Sequence, residues 1–271
     1  GTALAERDPR ALDPVRMPHA PVEMTPMLGA LNALFARIQT MLDAERRFTA
    51  DAAHELRTPI AAIKAQAQVA IAAQEDAMRR HALVGTLEGC DRAAHLVDQL
   101  LLLSRLEANA GISIEPIDLG ALARQVMADI APIAFGKKQC IALENPERCM
   151  VAGNRALLAS LVRNLIDNAI RYSPAEAQIV VTVTHRNGSA ALCVEDSGPG
   201  LPAAEQHRLG ERFFRVEGTD QSGSGLGWSI VRRIAAVHGA SVTVDRSPGL
   251  GGLRVDVIWS NLTSSGSGTH Q

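Results

Sequence analysis

His54 is followed by Glu55, and Thr58 stands four residues beyond it, in the string Phe48-Thr49-Ala50-Asp51-Ala52-Ala53-His54-Glu55-Leu56-Arg57-Thr58-Pro59. Residues four apart share one face of a helix. A histidine with an ordinary pKa of about 6.5 can offer a neutral, nucleophilic ring nitrogen near neutral pH. A neighbouring carboxylate can accept the proton on the other nitrogen as attack proceeds. His54 is therefore a candidate nucleophile, Glu55 its candidate base, and Thr58 a hydroxyl one turn away. Taken alone, the pair is equally an ordinary surface histidine beside a charge, so the rest of the chain must decide.

A second group lies in Asn164-Leu165-Ile166-Asp167-Asn168-Ala169-Ile170-Arg171-Tyr172. Asn164, Asn168 and Arg171 are spaced four and three apart and fall on one helix face. Carboxamides on a helix are usually just solvated. Two in register with an arginine could hold a hydrated Mg²⁺ and phosphate oxygens, because Mg²⁺ takes oxygen ligands and keeps waters. A third group is Asp196-Ser197-Gly198-Pro199-Gly200, following an apolar run. Glycine permits a tight turn and a close backbone approach, and an acid at a strand end can accept a hydrogen bond from an exocyclic amine such as adenine N6. The fourth is Gly223-Ser224-Gly225-Leu226-Gly227, opening a helix near Trp228. A glycine loop feeding a helix N-terminus can cradle phosphate, although flexible loops use the same residues. No Gly-Lys-Ser/Thr follows, so it is not a Walker loop.

These groups need elements to carry them. Leu28, Leu31, Phe35, Ile38 and Leu42 step by three and four, as in a coiled coil. The helical pattern continues over 46–73 with one interruption at Pro59, which removes a backbone bond and bends the axis. A turn is expected at Gln74 to Asp76. A second long helix follows, with Leu83, Leu87, Cys90, Ala94, Val97 and Leu101 as its stripe. Two such helices bury both stripes best as a dimeric four-helix bundle. A monomer that packs its stripe on the other domain is the alternative. Beyond the break at Gly111 to Pro116, helices at Leu119 to Ile130 and Arg155 to Arg171 alternate with strands. Ile179 to His185 and Ala191 to Glu195 flank an Asn187-Gly188 turn, and Ser241 to Asp245 and Leu253 to Ile258 flank a glycine-rich one. This is an α+β pattern, with helices on one face of a mixed sheet. Residues 263–271 read as a disordered tail.

Bulk composition bounds the rest. At 271 residues the chain has room for about two domains. Aromatics are 3% against 46% hydrophobic residues overall, so the cores must be aliphatic. The 27 basic residues nearly balance the 29 acidic ones, which argues against general affinity for nucleic acid or anionic lipid. Cys90, Cys140, Cys149 and Cys193 show no metal spacing and read as small buried residues in a reducing compartment. The other histidines, His19, His81, His95, His185, His207, His238 and His270, show none either. No stretch of about 18 apolar residues spans a membrane and no signal peptide opens the chain, which begins at Gly1 and reads as a soluble piece of something larger.

All six positions of His54-Glu55-Leu56-Arg57-Thr58-Pro59 match the phosphoacceptor box of sensor histidine kinases, which the chain resembles. The Asn164 to Tyr172 string is similar to the N box of that family, the Asp196 string to its G1 box, Glu211-Arg212-Phe213-Phe214-Arg215 to its F box, and the Gly223 loop to its G2 box. The five come in the family's order and cover residues 48–239. The resemblance implies a dimerisation and phosphoacceptor domain over 22–110, with a helical hairpin that forms a four-helix bundle. It implies an α+β (Bergerat-type) ATP-binding domain over 111–262. Through Pro21, Glu23 and the heptads, residues 1–21 resemble the end of a membrane-proximal HAMP linker. The implied activity is autophosphorylation of His54 with ATP and Mg²⁺, then transfer to an aspartate on the receiver domain of a response regulator, with Glu55 as base and Thr58 aiding a phosphatase reaction. Asn168, with Asn164 auxiliary, would ligate Mg²⁺. Arg171 would meet the phosphates and Tyr172 would lie near adenine. Asp196, Gly198, Gly200, Phe213, Gly223, Gly225 and Gly227 would complete the nucleotide site. The implied partners are a second copy and the regulator, with no nucleic acid, and the implied place is the cytoplasmic face of the bacterial inner membrane, reached only through a segment missing from this chain. Trp228 departs from the family, which carries a small aliphatic there. An indole could pack on the lid or crowd the triphosphate. Two other readings stay open: a different ATPase of the same nucleotide fold, or an adaptor with a dead nucleotide site.

Overall fold

The computed structural model describes residues 13–15, 21, 24–107, 112–144, 148–186, 188–206, 208–210 and 225–260. The linker segment otherwise, Asn187, the string around Phe213 with Gly223, and the tail at 263–271 lie outside the described residues. The chain divides into two compact units, with the boundary in the sequence between Cys90 and Asp91.

The first unit is dominated by helix α1 (Thr25–Ala72), with the start of α2 (Asp76–Glu107). Pro26 sits in the first turn of α1, where its missing N–H is an orphan in any case. Pro59 lies inside α1 but does not end it. The helix has enough bonds on either side to absorb the one that Glu55 loses. The turn falls at 73–75, where expected. Arg79 fixes it, donating to Asp76 Oδ1 at 2.7 Å and to the Ala73 carbonyl at 2.8 Å. Ala70, Ala73 and Ala82 are buried beside it.

In the second unit, β1 (Glu115–Asp118) pairs antiparallel with β3 (Met150–Gly153). This ribbon starts two helices. Asp118 caps α3 (Leu119–Gly136), its Oδ1 accepting from the amides of Gly120 and Ala121. Asn154 caps α4 (Arg155–Tyr172), accepting from the Leu157 amide at 3.1 Å. The main sheet runs β2 (Cys140–Glu144), β4 (Gln178–Arg186), β5 (Ser189–Asp196), β7 (Leu253–Trp259), β6 (Ala240–Arg246). Only β2 and β4 are parallel, so the sheet is mixed, as expected. A short α5 (Ala203–Gln206) precedes α6 (Gly227–Val237). Ile179, Val181, Val183, Leu192 and Val257 on one sheet face pack with Leu158, Leu161, Val162 and Ile166 of α4 and Ile230 and Ile234 of α6. Sequence reading missed β1, β2 and β3, and ended α3 six residues early.

Two cysteines depart from expectation. Cys149 and Cys193 are buried, but Cys90 and Cys140 are exposed. Cys90 follows from its helix face, and Cys140 points from an edge strand away from the helices.

A candidate nucleotide and phosphoacceptor site

His54 is exposed on α1, with Glu55 half-buried next to it and Thr58 exposed one turn on. Thr40, Thr49 and Thr86 each donate to the carbonyl four residues back. Thr58, among the described residues, makes no such bond, so its hydroxyl remains open to solvent beside His54.

The second cluster gathers on α4. Asn164, Asp167, Asn168, Arg171 and Tyr172 line a cleft of about 30 Å³ with Gly225, Gly227 and Trp228, closed by His95 and Gln99 of the same unit. Asn164 Nδ2 donates to the Ser160 carbonyl at 2.8 Å. This fixes the amide so that Oδ1 turns toward Gly227, where an added Cβ would lie 3.1 Å from it. The same Cβ would stand 3.6 Å from both polar atoms of the Asn168 amide, whose Nδ2 is buried without a partner. Glycine at 227 thus leaves open the space between the carboxamides and the start of α6. Gly225, with φ of 68°, turns the chain into that helix. Trp228 follows directly and forms part of the cleft wall.

Both ends of α4 are tied down. At its start, the Asn154 amide donates to His238 Nε2 at 3.0 Å, and His238 Nδ1 lies 2.7 Å from the Ile234 carbonyl. The carbonyl requires Nδ1–H and the amide requires a bare Nε2, so both partners select the neutral imidazole. His238 therefore has a structural role that spacing alone had not indicated. Asp167 is the other addition to the site. Burial pushes its carboxyl above the ordinary range, partly offset by the charges of Arg163, Arg171 and His95.

Asp196 ends β5, buried. Its Oδ1 accepts from the amides of Gly198 at 2.9 Å and Leu253 at 3.2 Å. Burial raises its pKa, and these two amides pull it back in part. Both take Oδ1, so Oδ2 is the oxygen a ligand amine would reach. A Cβ on Gly198 would come within 3.0 Å of Asp196 and Ser173. Gly200 has φ of 73°. Gly252 was not singled out, yet a side chain there would collide with Asp196 and with the Gly198 amide. The double glycine at 251–252 was the available signal. Phe213 and Gly223 are beyond the described residues. Among those described, no three His, Cys, Asp or Glu residues form a metal cluster.

Residues 44–109 match the His kinase A (phospho-acceptor) domain, and residues 153–262 match the histidine kinase-, DNA gyrase B- and HSP90-like ATPase domain. Over 260 residues the chain is 42% identical to the sensor protein QseC of Escherichia coli (strain K12), covering 95% of this chain and 57% of that one. It is 37% identical to the sensor protein kinase PmrB of Pseudomonas aeruginosa over 257 residues, 94% of this chain and 54% of that one. The chain thus spans little more than half the length of the curated relatives it matches. The histidine kinase AdeS of Acinetobacter baumannii shares the fold, with a TM-score of 0.62 at 23% identity over 78% of this chain and 98% of that one.

Proposed function

The chain belongs to the sensor histidine kinases of bacterial two-component systems, and on that premise we propose that it phosphorylates His54 with ATP and passes the group to an aspartate of a response regulator. One observation carries this reading: the carboxamides of Asn164 and Asn168 converge with Arg171, Tyr172 and the glycine turn on one unit, while an exposed His54 stands on the other.

The neutral His54 nitrogen attacks the γ-phosphorus. The N–P bond forms as the bond to the β,γ-bridging oxygen breaks, and ADP leaves. Glu55 takes the proton from the other ring nitrogen. A regulator carboxylate then attacks the same phosphorus, the O–P bond forms as the N–P bond breaks, and Glu55 returns the proton to the ring, which leaves as neutral imidazole. Little covalent work falls to the nucleotide unit, because phosphoryl transfer rests mainly on positioning and charge neutralisation. Arg171 would meet phosphate oxygens, Tyr172 the adenine side, and Asp196 Oδ2 the adenine amine. Asn168 and Asn164 would hold Mg²⁺. The fit is good, with two carboxamide oxygens, Asn164 Oδ1 and Asn168 Oδ1, bordering the room that Gly227 leaves. Bound there, Mg²⁺ supplies positive charge to the triphosphate. Phe213 and Gly223 are assigned to the same nucleotide by their place in the F and G2 boxes.

No helix among the described residues is long and apolar enough to cross a membrane. We place the chain at the cytoplasmic face of the inner membrane, acting as a homodimer with 22–110 as its dimerisation domain and 111–262 as its nucleotide domain.

The test is incubation with Mg²⁺ and γ-labelled ATP, followed by mapping of an acid-labile label. The expected result is label on His54, abolished in His54→Gln while ATP binding stays within about twofold. Label elsewhere would favour another ATPase of this fold, and no nucleotide binding in the wild type would favour the adaptor, with Trp228 as the obstruction.

A further inference from the structure

We infer that Gln139 is a positioning residue for the nucleotide site, holding the turn of α4 that presents Arg171, Tyr172 and Ser173. This rests on the kinase reading above. Pro174 leaves one carbonyl of α4 without its helical donor. A helix carbonyl is normally paired with the N–H four residues on, but for Ile170 that residue is a proline, which has none. The carbonyl would be buried and unpaired at a point where the site needs a fixed backbone. Gln139 supplies the missing donor from the connection between α3 and β2.

Its side chain is buried, at 5% exposure. Nε2 donates to Ile170 O at 3.1 Å, to Ser173 O at 3.0 Å and to Pro174 O at 2.9 Å. Two hydrogens serve three carbonyls, so one is shared. The opposite amide orientation would set oxygen against three oxygens, so the nitrogen is assigned here even though Oε1 finds no partner. Lys137 reinforces the same turn, its Nζ donating to Ile170 O at 3.0 Å and Arg171 O at 3.4 Å. Backbone geometry delivers both side chains. Lys138 takes φ of 57°, which closes α3 and turns Gln139 inward.

The held turn faces the site at both ends. Arg171 and Tyr172 line the cleft. Ser173, buried, has its hydroxyl against Gly198, beside Asp196. A turn free to drift would move the phosphate-side arginine and the adenine side together. Gln139 touches none of the reacting atoms, so its loss should weaken nucleotide binding more than transfer from bound ATP.

The experiment uses the full chain with Mg·ATP. Gln139→Met keeps the volume and removes both donors. It should raise KM for ATP about tenfold, with kcat within about twofold of wild type. Lys137→Met, which removes the second donor to the Ile170 carbonyl and the donor to that of Arg171, should raise KM about threefold. Val151→Ala, in the β1–β3 ribbon, lowers stability away from the cleft and is the control. A KM for Gln139→Met within about twofold of wild type, or an equal rise in Val151→Ala at matched loss of Tm, overturns the positioning role. If Gln139→Met does not fold, Lys137→Met decides by the same criterion. A wild-type chain that binds no ATP would instead overturn the kinase reading, so the two failures are distinct.

Discussion

Asp167 shows how a side chain inside a motif can carry an effect that its sequence neighbours do not announce. It lies between the two carboxamides that attract attention and is lifted above the ordinary carboxylate range by burial, against the pull of Arg163, Arg171 and His95. A raised folded-state pKa means the native chain keeps a proton that the unfolded chain has released. Stability from this group is therefore greatest below the unfolded value of about 4 and falls as pH rises through the higher folded value. Asp167→Asn should flatten that fall, leaving the variant at least as stable as wild type at pH 7, as measured by urea midpoints between pH 4 and 7. Asp196 has the same sign and remains, so some slope should persist. Thr58 offers a second functional group on the helix of His54. Its hydroxyl is exposed one turn from His54 and makes no bond to its own helix. Thr58→Ala should leave phospho-His54 formation within about twofold and slow dephosphorylation of the regulator by about tenfold. Equal loss of both activities would reduce Thr58 to a helix residue beside Pro59.

Elements were legible where the pattern was local and opaque where it was not. The β4–β5 pair and α4 have strong periods of two and three to four, and both appear with ends within a few residues of expectation. The ribbon of β1 and β3 joins segments some thirty-five residues apart in register, from Glu115 with Gly153 to Asp118 with Met150. Each strand is only four residues long, and β1 contains Pro116. No local signal reports such a pairing. The site divides the same way. Asn164, Asn168 and Arg171 were readable because one helix places them, whereas Gln139, His238 and Gly252 act across long sequence separations. Gly252 gives the clearest test. Its amide donates to the Asp196 carbonyl at 3.1 Å, and a side chain would strike Asp196 and the Gly198 amide. Gly252→Ala should therefore weaken Mg·ATP binding by roughly tenfold or more. Gly249→Ala, where an added Cβ meets nothing within 4 Å, should leave it unchanged. Equal affinity in the two variants, read by titration calorimetry, would show that the β6–β7 turn does not shape the site.

The apolar stripe of α2 is left uncovered in a single chain. Leu83, Leu87 and Leu101 are each at least half exposed, and Cys90 and Ala94 are exposed on the same stripe. Fully burying such a leucine contributes roughly 1.5–3 kcal/mol, while association costs on the order of 4–15 kcal/mol in lost freedom. These leucines have about half of that left to give, and a stripe presented twice about a two-fold axis contributes each of its residues twice, which reaches the lower part of that cost. Cys90 makes the idea measurable. It is exposed in one chain and would be covered in a dimer, whereas Cys140 is exposed on a strand edge of the other unit. Alkylation of the native protein should therefore label Cys140 readily and Cys90 at least about tenfold more slowly, reactivity following access to the thiol. Leu87→Asp, which sets a charge on the stripe, should bring Cys90 up toward the rate of Cys140. It should also lower the mass by light scattering from about twice 28.8 kDa to that of one chain. Rapid labelling of Cys90 in a wild-type protein of single-chain mass would mean that the stripe is not a dimer face.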